Sequence, residues 1–180
     1  MDKKQKGFTL IEMILVTVII GILAGVVITV IDIPRTQARS RDSKRIGDLK
    51  RIQTALELYF ADNRAYPRVT SFGLAQAVLA GSIVPNYMDQ IPLDPLNNKT
   101  VKDTSAMRCR EGSTSTLHGY YYKTDANGTK YVMSAIMELA ISPENINNRC
   151  DNISNCKTGG GVVCGPYAGN NYCYCVQNPM

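Results

Sequence analysis

FTLIEMILVTVIIGILAGVVITVI, from Phe8 to Ile31, is the stretch that decides how the rest of this chain is read. Its 24 residues make a helix of about 36 Å at 1.5 Å per residue, longer than a bilayer core of about 30 Å. Glu12 is the charged side chain inside it, and Asp32 lies just past its end. Lys3, Lys4 and Lys6 precede it, as basic residues precede a secretory signal. A signal h-region, however, is only about 7–15 residues long and ends in a small-residue cleavage site. This run continues well beyond that length, so residues 8–31 read as a retained transmembrane helix.

Charge is segregated around this anchor. Seven basic residues (Arg35, Arg39, Arg41, Lys44, Arg45, Lys50, Arg51) follow it within 35–61, against Asp42, Asp48 and Glu57. From residue 62 onward ten basic residues face nine acidic ones. The net charge of +5 is therefore a property of the N-terminal third and gives no support to a nucleic-acid-binding globular domain. At 180 residues there is room for one ordinary domain besides the anchor.

All six cysteines (Cys109, Cys150, Cys156, Cys164, Cys173, Cys175) lie downstream, most of them in a Gly/Asn-rich tail. An even count in such a setting reads as a disulfide framework in an oxidising compartment. With only a C-x-C pair at 173–175 and a lone His118, zinc spacing is not met. Six cysteines allow 15 pairings. The expectation adopted is a local Cys150–Cys156 loop, with Cys109 tied to the group Cys164, Cys173 and Cys175. The basic residues on both sides of the span conflict under the positive-inside rule. The cysteines resolve the conflict, because a disulfide-bearing domain lies outside and the N-terminus is then cytoplasmic.

Pro34 interrupts the helical pattern. Beyond it Ile46, Leu49, Ile52, Leu56 and Tyr59, flanked by Ala55 and Phe60, recur at helical spacing, opposite Lys44, Asp48 and Arg51. This predicts an amphipathic continuation over 32–63 with one face on a core. A shorter helix is expected around Leu74–Ile83, stopped by Pro85, and a Pro/Asx-rich loop over 85–105. Residues 119–124 and 130–138 flank Asp125-Ala-Asn-Gly128 as a β-hairpin. Residues 142–180 show no usable period. The fold class is α+β: a long N-terminal helix packed on a small antiparallel sheet, with a disulfide-rich tail. The segments are a leader (1–7), the anchor (8–31), the amphipathic helix (32–63) and an extracytoplasmic domain (64–180).

Glu12 is the residue with the clearest chemistry. A carboxylate in a membrane span is costly and is commonly functional. If the chain is cut after Gly7, Phe8 becomes a new α-amine four residues before Glu12, and amine and carboxylate of neighbouring copies can neutralise each other in an apolar core. The alternative is a headgroup-level Glu without a partner. Lys6-Gly7-Phe8-Thr9-Leu10-Ile11-Glu12, leading into the apolar run, resembles the prepilin cleavage and methylation motif of type IV pilins, competence pseudopilins and type II secretion pseudopilins. The resemblance implies cleavage between Gly7 and Phe8 by a prepilin peptidase, N-methylation of Phe8, and Glu12 as the assembly residue. It also implies helical self-assembly, driven by an inner-membrane platform and its ATPase. Gly21 and Gly25 resemble family glycines where the helix unwinds in the filament, or they serve close helix contact.

Further on, the segment from Ile52 to Pro67 and then Ile91-Pro-Leu-Asp94-Pro95 is similar to the major pseudopilins of type II secretion. In those proteins a calcium ion can sit in a loop after the Pro-Asp-Pro segment. Asp89, Asp94, Asn97 and Asn98, with Asp103, offer oxygen ligands here. Leu96 departs from the aromatic common at its position, and the alternative reading is Asx-turn chemistry. No other cofactor is implied. With one His, no phosphate loop and no nucleophile elbow, nothing marks an enzyme. The resemblance therefore implies a structural subunit of a type IV pilus or a pseudopilus, serving adhesion, motility, DNA uptake or secretion. It sits as a single-pass membrane protein before joining a surface or periplasmic filament. The alternative is a minor tip-located pilin that binds a surface, or nucleic acid in the competence-type case.

Overall fold

The computed structural model describes residues 7–30, 32–97, 99–100, 117–150, 152–156 and 172–179, with the side chains of 27–30 excepted. Two compact units are distinguished, Met1–Gln37 and Ala38–Met180. The leader residues 1–6 and the expected ligand or disulfide residues Asn98, Asp103, Cys109 and Cys164 lie outside the described residues.

In the first unit, α1 runs from Leu10 to Val30. Thr9 caps it: its hydroxyl oxygen accepts from the Glu12 N–H at 3.3 Å, and its carbonyl from the Met13 N–H at 3.3 Å. The described side chains of α1 are exposed all round, from Leu10 at 77% to Val26 at 57%. A helix apolar on every side has no amphipathic stripe to lay on a core of its own. The expected membrane span 8–31 falls on this helix. Among the described residues, however, no helix is long and apolar enough to cross a membrane. The described side chains end at Val26, and Leu10 to Val26 rises about 25 Å, short of a bilayer core of about 30 Å.

A second helix, α2, spans Ile33–Asn63. Asp32 caps it, its carboxylate accepting from the Arg35 N–H at 3.1 Å and its carbonyl from the Thr36 N–H at 3.0 Å. Pro34 thus occupies the first turn, where its missing N–H leaves no intrahelical bond unmade. At the other end Arg64 turns to φ 58° and donates its N–H to the Phe60 carbonyl at 2.8 Å, a left-handed stop without glycine.

In the second unit the sheet has four antiparallel strands in the order β1-β2-β3-β4: Gly73–Leu74, Tyr120–Thr124, Tyr131–Ile136 and Cys173–Gln177. The expected short helix is two four-residue turns, α3 (Ala75–Val78) and α4 (Ala80–Ile83). The hairpin is present with Thr124 opposite Tyr131. Gly128 takes φ +69° in its turn, and a Cβ there would lie 2.8 Å from the Tyr66 carbonyl. Tyr66 also donates its N–H to Gly128 at 2.7 Å, tying the turn to the chain leaving α2.

The two sheet faces serve two cores. Leu49, Ile52 and Leu56 of α2 pack with Tyr122, Tyr131, Met133 and Val176, and Leu79 and Ile83 close the side. On the opposite face Val132, Ile136, Cys173 and Cys175 pack with Cys150 and Ile153. Every residue of β2 and β3 is consequently buried.

The tail corrects the sequence reading twice. Residues 173–177 form β4, paired along β3 with Cys175 opposite Ser134. Cys150 bonds Cys175, not Cys156: Arg149 bridges Tyr174, the Cys150 N–H donates to the Cys173 carbonyl at 3.2 Å, and the Cα atoms of the bonded pair are 4.9 Å apart. Cys156 and Cys173 each take part in a disulfide as well, and none of the described cysteines is free. Bonding residues 25 apart, Cys150–Cys175 stabilises by about 3 kcal/mol on a chain-entropy account.

Candidate functional site

The candidate processing and assembly residues stand at the start of α1. Gly7 and Phe8 precede the helix and are exposed, Phe8 at 77%. Glu12 lies in the first turn, also exposed. Thr9-x-x-Glu12 is the sequence of a capping box, and an acidic residue there favours the positive end of the helix dipole. The carboxylate thus has a local role in its own helix and stands four residues from the Phe8 nitrogen that cleavage would release. The helix continues unbroken through Gly21 and Gly25, where a Cβ would meet nothing within 4 Å.

A second constellation, not anticipated from the sequence, lies in α2. Asp42, Arg45 and Asp48 extend its apolar stripe and are buried, Arg45 completely. Arg45 grips Asp94 with a fork, Nε to Oδ2 at 2.7 Å and Nη2 to Oδ1 at 2.9 Å. Its Nη1 donates to Asp42 at 2.7 Å and to Glu138 at 2.9 Å. Arg41 adds a second fork on Glu138, at 2.7 and 2.6 Å. Asp42 in turn accepts the N–H groups of Glu138 at 3.0 Å and Leu139 at 2.9 Å. One helix is thereby tied to the Pro92–Pro95 loop and to the chain just after β3. Asp48, expected on the solvent face, is corrected: it is buried and accepts the Tyr120 hydroxyl at 2.8 Å. A charge can occupy a core-facing position when fixed partners satisfy it. The spacing of 42, 45 and 48 in register with Leu49 and Ile52 was the available signal.

His118 lies 3.4 Å from the Arg45 guanidinium through Nδ1. Burial, then the Arg45 charge, hold its pKa below the ordinary 6.5. Burial alone would raise Glu138, but the Arg41 and Arg45 hydrogen bonds outweigh it and hold its pKa below 4.5. Both shifts act in one direction. The unfolded state binds His118's proton first as pH falls below 6.5, and Glu138's contribution is lost on passing down through its depressed folded value. Thermal melts of the full chain in detergent are therefore expected to show stability falling below about pH 6.5 and again below about pH 4.5. A flat profile across that range would contradict the network.

Of the candidate calcium ligands, Asp94 has both oxygens on Arg45, and Asp89 is exposed. Asn97 buries Oδ1 without a hydrogen-bond partner among the described residues. No group of three or more His, Cys, Asp or Glu is placed to hold a metal among those residues. A guanidinium on Asp94 opposes a second cation there, so the described donors do not make up a calcium set.

A family model for the prokaryotic N-terminal methylation motif matches residues 2–28. The type II secretion system core protein G of Escherichia coli (strain K12) is 34% identical over 106 residues, 54% of this chain and 71% of that protein. Its Pseudomonas aeruginosa namesake is 39% identical over 104 residues, 53% of this chain and 71% of that protein. The Vibrio cholerae one is 33% identical over 104 residues, 53% and 68% respectively. No solved structure matches the chain significantly.

Proposed function

Since the chain belongs to the type II secretion system core protein G family of pseudopilins, we propose that it is the polymerising subunit of a secretion pseudopilus. It is a structural protein, not an enzyme. A prepilin peptidase removes residues 1–7 and methylates the amine of Phe8. Before assembly α1 is held in the inner membrane with the N-terminus cytoplasmic, and Ala38–Met180 lies outside. In the filament the exposed apolar sides of α1 find partners in neighbouring α1 helices. The Phe8 amine of one copy and Glu12 of another neutralise each other where neither has water. An inner-membrane platform and its ATPase drive addition of subunits.

The observation that carries this reading is the methylation-motif match over residues 2–28, with Glu12 in the first turn of a helix apolar on all sides. Deleting the gene in the source organism is expected to strand type II substrates in the cell envelope, and re-expressing the chain to restore their export. Unchanged export in the deletion strain would reject the proposal.

A further inference from the structure

Beside β4 lies a cavity of about 270 Å³, walled on one side by α2 and on the other by the turn Pro143–Asn148 and its continuation. That is just under the range of drug-sized ligand pockets, about 300–1,000 Å³, and of a size for a small ligand. Of its ten described lining residues six are Asn or Gln, one is Lys50, one is Tyr174, and none of these ten is acidic.

The hydrogen bonds of the wall determine what is left for a ligand. Asn148 donates its amide N–H to the Cys175 carbonyl at 3.2 Å, and Asn152 donates to the Ile146 carbonyl at 2.7 Å. Gln53 donates to the Gln177 carbonyl at 2.7 Å, holding α2 to β4. In each case the amide nitrogen fastens the wall. For Asn148 and Asn152 this leaves the carbonyl oxygens with no hydrogen bond among the described residues. Asn147 is exposed, and its amide forms no described bond. The Tyr174 ring is buried while its hydroxyl has no described partner, and the Lys50 ammonium is likewise uncommitted at the opposite rim.

This lining presents several neutral acceptors, a phenol, an aromatic body and one cation. It suits a ligand rich in hydroxyl donors. A metal cation would want carboxylates and would be repelled by Lys50. A phosphate would want clustered arginines or backbone N–H groups. An apolar ligand would leave the amide oxygens unsatisfied. We propose that the pocket between α2, β4 and the wall formed by Asn145, Asn147, Asn148 and Asn152 binds a saccharide, its hydroxyls donating to Asn148 and Asn152 and its ring lying near Tyr174. This assignment rests on the pocket alone and stands or falls independently of the secretion role.

The test is NMR titration of the full chain in detergent micelles, ¹⁵N-labelled, with N-acetylglucosamine, galactose and glucuronic acid in turn. Saturable shifts confined to the side-chain amides and backbone of residues 145–153 and 174–177 are expected for at least one sugar. Lys50→Ala and Asn147→Ala remove exposed groups outside the packing, and at least one of them is expected to weaken that sugar by about threefold or more, with the spectrum elsewhere unchanged. Preference for glucuronic acid that disappears in Lys50→Ala would identify a carboxylate-bearing sugar. Preference for a neutral sugar that survives Lys50→Ala but drops in Asn147→Ala would identify a neutral one. Absence of saturable shifts with all three sugars, or binding that neither substitution weakens, would overturn the proposal.

Discussion

Arg45→Ala is expected to lower the folding stability of the chain by about 3–5 kcal/mol, the cost of breaking a buried ion cluster by removing one partner. The guanidinium is wholly buried and touches three carboxylates, Asp94, Asp42 and Glu138. Its removal leaves Asp94 buried with only the Leu96 N–H at 2.7 Å as a described partner, and releases α2 from that loop. Glu138 keeps Arg41, so the damage falls first on the Asp94 side. Against a total of about 5–15 kcal/mol for a typical domain, this is a large loss. Arg45→Lys recovers only part of it, since an ammonium cannot reproduce the fork on Asp94. The control is Arg51→Ala, whose side chain is 70% exposed and 3.8 Å from Asp48; it is expected to cost under about 1 kcal/mol. Denaturant titration of the full chain in detergent, disulfides intact, measures both. A loss below about 1 kcal/mol for Arg45→Ala would show that the network does not hold the domain together.

Glu12→Ala is expected to leave membrane insertion intact or slightly improved while cutting incorporation into filaments by about a hundredfold or more. Insertion gains because a carboxylate is removed from an apolar helix. Assembly loses because the neighbouring Phe8 amine is left charged and unpaired among apolar side chains, at a cost of about 3 kcal/mol or more. Loss of the first-turn acid also weakens the helix start, but only by about 0.3–1 kcal/mol, too little to explain the assembly defect. Glu12→Gln separates the two effects, since it keeps a side chain able to bond near the helix start and removes the charge. Comparing membrane-fraction and sheared-filament amounts decides the matter. Equal polymerisation of Glu12→Ala and the unaltered chain would reduce Glu12 to a headgroup-level residue.

What could be read in advance follows the reach of each signal. The apolar run, the Leu49/Ile52/Leu56 stripe and the hairpin around Gly128 are local patterns, and they appear in the structure as helix, helix and hairpin. β4 escaped because its alternation of Cys173 and Cys175 with Tyr174 and Val176 is only five residues long inside an Asn/Gly-rich tail. Both of its faces are buried, so it lacks the polar-out half of an ordinary edge pattern. The partner of Cys150 is likewise a tertiary fact, fixed by where β4 docks. Asp48 falls on the wet side of α2 in a sequence reading because charge normally marks solvent, and only Asp94, Glu138 and Tyr120, distant in sequence, make the burial of Asp42, Arg45 and Asp48 tolerable. The processing residues Gly7, Phe8 and Glu12 are the reverse case. Their meaning is carried by contiguous sequence and would be missed in the folded domain alone.

The central claim is that Phe8 becomes the free N-terminus of a polymerising subunit. Intact-mass measurement of filaments sheared from cells expressing the chain tests it most directly. The expected mass is that of residues 8–180 with one added methyl group and its cysteines oxidised; the mass of all 180 residues would contradict it.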